Sequence, residues 1–192
     1  MISVFGSLIS TTNISISILK LKKYILHLSR NKDTDHFSNQ GGWQGALDLT
    51  HPSLIDLKKE ILIHTQEYLK SLDFKQGLSY SFASMWANIN NYRDFNISHH
   101  HGAFPVAGVF YIQTPLNCGQ LVFEHPSPLT DVAWKSRWLT KSTTLNAPAF
   151  SLRAQKGLLC LFPGWLSHHV EANSSKIPRI SISLNIGIND RR

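Results

Sequence analysis

The period of the apolar positions changes near residue 78. Before it, they recur at helical spacing. Ile18, Leu21, Ile25 and Leu28, with Lys22 among them, mark one side of a helix for which Ser17 is the candidate cap. A second helix is marked more fully. Leu54, Leu57, Ile61, Tyr68, Leu69 and Leu72 keep the helical period, and Ser53 with Asp56 has the spacing of a capping box. Lys58, Lys59, Glu60 and Lys70 form its wet face, and His64 reads as structural. Residues 2–9 read as a short strand, and 31–42 as a polar loop ending in Gly41-Gly42.

After residue 78 the alternation is that of strands. Candidates are 79–91, 105–113, 119–124, 149–154, 157–162, 168–172 and 178–188. Asn117-Cys118-Gly119, Pro126 with Pro128, and Lys156-Gly157 supply turns between them. Helices first and many short strands after predict a mainly β fold with supporting helices, a β-sandwich or jelly roll. The expected organisation is a single domain over 1–192. Its supporting layer is 1–77, and its core is 78–192 with an insert at 125–148. The insert carries Trp134, Lys135, Arg137, Trp138 and Lys141. A connection of that length is a lid, a binding loop or disordered; its two Trp with basic neighbours read either as a stacking surface for a flat or peptidic substrate or as a short amphipathic turn that caps the barrel.

The strictest alternation is in the last strand. Ile180, Ile182, Leu184, Ile186 and Ile188 share one face; Arg179, Ser181, Ser183, Asn185 and Gly187 share the other. Small polar residues behind one Arg fit the lining of a narrow polar pocket, where a planar guanidinium suits a carboxylate. An exposed edge face is the plainer reading.

Composition removes several classes. The 192 residues allow a sizeable core. No apolar run approaches the ~20 residues of a membrane helix. The start Met1-Ile2-Ser3-Val4-Phe5 lacks a basic leader region, and Cys118 and Cys160 make no disulfide framework, so the cytoplasm is the expected location. The net charge of +7 comes from scattered Lys and Arg, with mild clusters at Lys20–Lys23 and Lys135–Arg137. That is a solvated basic surface more than a nucleic-acid footprint.

The candidate chemistry centres on His99-His100-His101. In an extended segment His99 and His101 share a face, with Cα atoms about 6.5–7 Å apart, and can converge on one metal ion. Imidazole suits zinc, copper, nickel and iron. A surface histidine cluster is the alternative on this tripeptide alone. A second pair, His168-His169, follows the Pro163-Gly164 corner, and Arg179 follows in turn.

His99-x-His101, a distant His168 and Arg179 beyond it resemble the iron(II)- and 2-oxoglutarate-dependent oxygenases. Asn90-Asn91-Tyr92-Arg93-Asp94-Phe95 and Gly119-Gln120-Leu121-Val122-Phe123 resemble strands of the prolyl-hydroxylase-like branch. Gly41-Gly42-Trp43-Gln44, Ala107-Gly108-Val109-Phe110-Tyr111, Phe162–His168 and Arg179–Ser183 resemble a small group of such oxygenases. Together these motifs span residues 41 to 188.

The resemblance implies a double-stranded β-helix, the cupin-like jelly roll, with iron(II) at its mouth. His99 and His168 carry over as metal ligands. Arg179, assisted by Ser181, takes the distal carboxylate of 2-oxoglutarate, and Asn88, Asn90 and Tyr111 are further candidates for that pocket. The implied reaction couples the oxidative decarboxylation of 2-oxoglutarate to succinate by oxygen with hydroxylation of a small molecule or a peptidyl residue such as proline. His101 departs from the pattern, because most relatives have Asp or Glu there. A three-His facial set is the first reading. A carboxylate from elsewhere, Glu124 or Asp94, and a position open to water are the other two. His100 and His169 are expected to point away. The competing class is a metal-binding cupin-like protein or a three-His thiol dioxygenase, neither of which needs the keto-acid clamp of Arg179. A nucleic-acid demethylase rests on net charge alone.

Overall fold

Two antiparallel sheets and a helical layer make up the computed structural model, which describes residues 1 and 6–189. The elements are β1 (Ser10–Asn13), α1 (Ile18–Asn31), β2 (Asn39–Gln40), β3 (Trp43–Ala46), α2 (Ile55–Ser71), β4 (Ser79–Asn90), β5 (Phe95–His99), β6 (Val106–Gln113) and β7 (Gln120–Glu124). A short α3 (Thr130–Ala133) precedes β8 (Ala149–Arg153), β9 (Leu158–Phe162), β10 (His168–Val170) and β11 (Arg179–Asn189). The larger sheet has the order β1-β9-β6-β11-β4-β3, and the smaller one β2-β5-β10-β7-β8. This is the mainly β jelly roll that the alternation predicts.

Helices α1 and α2 cover the outer face of the larger sheet. Leu21, Tyr24, Ile25, Leu57, Ile61 and Tyr68 share one core with Phe110, Leu159, Ile180, Ile182, Leu184 and Ile186. Burying each Leu or Ile there contributes roughly 1.5–3 kcal/mol. A second apolar cluster, including Tyr111, Leu121, Phe123, Cys160, Phe162 and Leu166, lies between the sheets. Strand β11 therefore separates the two interiors: its isoleucines face the helices and its polar row faces the smaller sheet. Among the described residues no helix is long and apolar enough to cross a membrane.

Several expectations need correction. Of the strand expected at 2–9, residues 2–5 lie outside the described residues and 6–9 are not strand; the edge strand is β1, pairing with β9. Its Ser-Thr-Thr-Asn sequence carries no apolar alternation, because pairing is through the backbone of an edge. Ser17 makes no capping hydrogen bond. Ser53 sits inside a 3-10 turn, where its N–H donates to His51 Nδ1 at 3.2 Å, so no capping box forms. The loop at 31–42 contains β2.

Strand β5 was not among the expected strands. The apolar Phe95 and Ile97 are exposed, with Ser98, while Asn96 is buried, the reverse of a core strand. Val170 lies opposite Asn96 and His168 opposite His99, so three steps along β5 match two along β10. This bulge turns both Asn96 and His99 toward the pocket between the sheets.

Candidate metal centre

Three histidines converge at one end of that pocket. His99 closes β5, His168 opens β10, and the two face each other in register. His101 follows β5, and its N–H donates to the Gly164 carbonyl at 2.7 Å. Gly164 has to be glycine, since a Cβ would lie 2.2 Å from the Phe104 carbonyl oxygen. The Pro163-Gly164 corner thus fixes the height of His101 above the sheet.

Each ring is oriented through Nδ1. His99 Nδ1–H donates to the Ile97 carbonyl at 2.8 Å and His168 Nδ1–H to the Leu166 carbonyl at 2.9 Å. His101 Nδ1–H donates to Asn185 Oδ1 at 2.5 Å. The proton on Nδ1 leaves each Nε2 with a free lone pair. His101 Nε2 and His168 Nε2 stand 3.3 Å apart. Burial lowers the pKa of all three rings, to about 4 for His101 and about 3 for His168. Near neutral pH these are uncharged donors whose lone pairs repel unless a cation lies between them. Two nitrogens each about 2.0–2.1 Å from one ion are about 3–3.4 Å apart, so the spacing fits a shared metal. The three ligand atoms lie within 4.8 Å of one another, and this set contains no carboxylate.

The neighbouring candidates are engaged elsewhere. Asp94 accepts from the Asn91 N–H at 2.6 Å and holds a turn. Glu124 pairs with His169 at 3.1 Å. His100 is exposed and accepts from the Gly102 N–H at 3.0 Å.

Along the same polar row lies Arg179, only 1% exposed. Its Nη1 donates to the carbonyls of Cys118 at 2.6 Å and Glu171 at 3.3 Å. Gly119 permits this, because at φ +80° a Cβ would meet the Glu171 carbonyl oxygen at 2.4 Å. Nη2 is buried without a partner, and Arg179 forms no ion pair among the described residues. Burial lowers its pKa, yet a guanidinium stays protonated. A buried cation with a vacant donor calls for an anion.

Arg179, Ser181, Asn88, Asn90, Tyr111 and the three histidines all line one pocket of about 480 Å³, part of it open to solvent. Asn88 is not a free donor, however. It accepts from Gln44 Nε2 at 3.0 Å and donates to Ser183 Oγ at 3.1 Å. Asn90 donates to Asn96 at 3.2 Å, and Asn96 to Ser38 Oγ at 3.1 Å. The Tyr111 hydroxyl makes no hydrogen bond to the described residues, and burial raises its pKa. Trp86 and Asn96 were not singled out from sequence as site residues, and Asn185 was marked only as one of the polar row of the last strand. Their signal was a polar or aromatic side chain on the inward face of a strand; Trp86 stacks on His101 with ring centroids 5.6 Å apart.

Residues 84–185 match the model of the family described as "Putative 2OG-Fe(II) oxygenase". The chain belongs to this family. It is an iron(II)- and 2-oxoglutarate-dependent oxygenase, and the plain cupin-like and thiol dioxygenase alternatives are not favoured. No curated protein sequence matches the chain. Among solved structures it is similar to a prolyl-4-hydroxylase of Pseudomonas putida, at 13% identity and TM-score 0.65 over 94% of this chain and 92% of that one. It is also similar to the non-heme alpha ketoglutarate dependent epimerase SnoN from nogalamycin biosynthesis, at 15% identity and TM-score 0.66 over 93% and 76%. HygX of Streptomyces hygroscopicus, solved with nickel and 2-oxoglutarate bound, gives 10% identity and TM-score 0.62 over 95% and 83%. At these identities the likeness is one of fold.

Proposed function

We propose that His99, His101 and His168 hold the iron and that Arg179 takes the distal carboxylate of 2-oxoglutarate. The hydroxylated substrate is a small molecule or a peptidyl residue such as proline. The observation that carries this reading is the vacant Nη2 of Arg179 in the same pocket as the three-imidazole cluster.

Iron bound here together with 2-oxoglutarate would activate dioxygen: one oxygen atom would go into succinate as the keto acid loses carbon dioxide, and the other into the new hydroxyl group of the substrate. The chain's own residues bind and orient. The carbonyls of Cys118 and Glu171 hold the guanidinium from one side, leaving Nη2 for a carboxylate. Ser181, two residues along β11 toward the histidines, and the Tyr111 hydroxyl, unpaired among the described residues, add neutral donors. Leu121, Phe162 and Val170 line the pocket with apolar surface and exclude water from the charged groups. Three neutral imidazoles bring no negative charge, so the dianionic keto acid offsets the metal. Trp86 beside His101 offers a flat wall to the substrate. The 125–148 insert leaves β7 one residue beyond Phe123, the partner of His168 in register, and so starts at the metal end.

The test is succinate formation from 2-oxoglutarate with and without added iron(II). Iron-dependent succinate that disappears in Arg179→Ala supports the reading. Metal binding without 2-oxoglutarate binding would replace it with a plain metal-binding jelly roll.

A further inference from the structure

The three rings are not anchored alike. His99 and His168 donate to main-chain carbonyls two residues earlier, Ile97 and Leu166. A carbonyl only accepts, so those two tautomers are fixed by the backbone itself. His101 instead depends on a side-chain amide, Asn185, which can present either its oxygen or its nitrogen. Asn185 lies on β11, 8% exposed, and its Nδ2 donates to Ser84 Oγ at 3.1 Å. With Nδ2 held by Ser84, Oδ1 faces His101. With the amide reversed, His101 Nδ1 would have to accept. Its proton would move to Nε2 and point at His168 Nε2, 3.3 Å away, with no lone pair left for a metal.

We infer that Asn185 is the positioning residue of the metal centre: its carbonyl oxygen, with Ser84 holding the amide nitrogen, selects the tautomer that makes His101 a ligand. The inference rests on the three-His reading above. It also accounts for a neutral imidazole serving where most relatives place a carboxylate. A carboxylate needs no tautomer selected, whereas an imidazole does.

The experiment is anaerobic titration with cobalt(II), reading affinity and the visible ligand-field spectrum, with a melting curve for each variant. Loss of an outer partner of a ligating histidine typically weakens metal binding about 10- to 100-fold. Asn185→Ala is expected to lose that much and to take on the spectrum of His101→Ala. Asn185→Asp keeps an acceptor facing Nδ1 but gives up the donation to Ser84, and is expected to restore both affinity and spectrum. Ser84→Ala leaves the amide free to turn and is expected to fall between; it reads the same relationship if Asn185→Ala does not fold. Two results would overturn the inference while leaving the three-His reading intact. Asn185→Ala could match wild type while His101→Ala does not, or Asn185→Asp could be as weak as Asn185→Ala, which is what a merely structural asparagine would give. Wild-type affinity and spectrum in His101→Ala would sink the three-His reading, and Asn185 with it.

Discussion

Arg179 Nη1 donates to the Cys118 carbonyl at 2.6 Å, while Nη2 of the same guanidinium has no partner among the described residues. One half of the fork is used to aim the other. The charge-assisted hydrogen bonds that Nη2 would give a carboxylate are lost in Arg179→Ala and only partly replaced in Arg179→Lys. Hydrogen bonds to a charged group contribute about 1.5–3 kcal/mol, so the Ala variant is expected to bind 2-oxoglutarate about 10- to 150-fold more weakly. Calorimetric titration checks this. Cobalt affinity in the absence of 2-oxoglutarate stays at the wild-type value, because Arg179 is not a ligand.

Metal affinity is expected to collapse in His99→Ala and His168→Ala and to weaken in His101→Ala. His101→Asp retains binding, since a carboxylate oxygen is itself a ligand for iron. Titrating iron(II) into each variant under anaerobic conditions decides the matter; an unchanged affinity for His168→Ala would remove the site.

Asn88 is expected to govern stability more than cosubstrate binding. Its amide joins Gln44 on β3 to Ser183 on β11. Asn88→Ala strands a buried Gln44 amide whose Oε1 already has no partner. An unsatisfied buried group costs about 1–3 kcal/mol, and a chain of this size loses about 2–4 °C in Tm per kcal/mol. Melting curves and 2-oxoglutarate titration separate the two roles.

The metal-free protein is expected to lose stability on acidification. Burial holds the three folded imidazoles below the ordinary histidine value, to about 4 for His101 and about 3 for His168. As pH falls below about 6.5 the unfolded chain takes up protons first and is favoured. The stability is therefore complete above about 6.5 and is lost downward, by about 1.4 kcal/mol per histidine per pH unit until each folded ring titrates. Tm measured with chelator present drops between pH 7.5 and 5. The double variant His101→Gln, His168→Gln shows a shallower fall; an equal slope would place the proton uptake elsewhere.

The legible parts of this chain were those where one physical pattern acts alone. The row Ile180 to Ile188 reads as a strand with two faces because both faces are buried in different company, and that placed Arg179 in the pocket. His99 and His101 do share a face, with His100 outward. Strand β5 was hidden because its burial is inverted and a bulge, not simple alternation, brings Asn96 and His99 together. Asn88 shares the pocket lining that its strand position implies, but both ends of its amide are taken by neighbours brought in from β3 and β11. Asn185 stood in the polar row, yet its role depends on Ser84 and on His101, which only the assembled sheet puts within reach.

Strand β11 carries the helix-facing core and the polar row lining the pocket on alternate residues. A slip of one position exchanges the two faces. One inserted or deleted codon between Arg179 and Asn185 would thus push aliphatic side chains into the pocket and a guanidinium against α2, ruining folding and chemistry together. The 125–148 connection obeys the opposite rule, since doubling a loop costs only about 0.6 kcal/mol in closure entropy. Changes of length are therefore expected to accumulate at the insert and be purged from β11, which lets the range of substrates drift while the oxidising centre stays in frame.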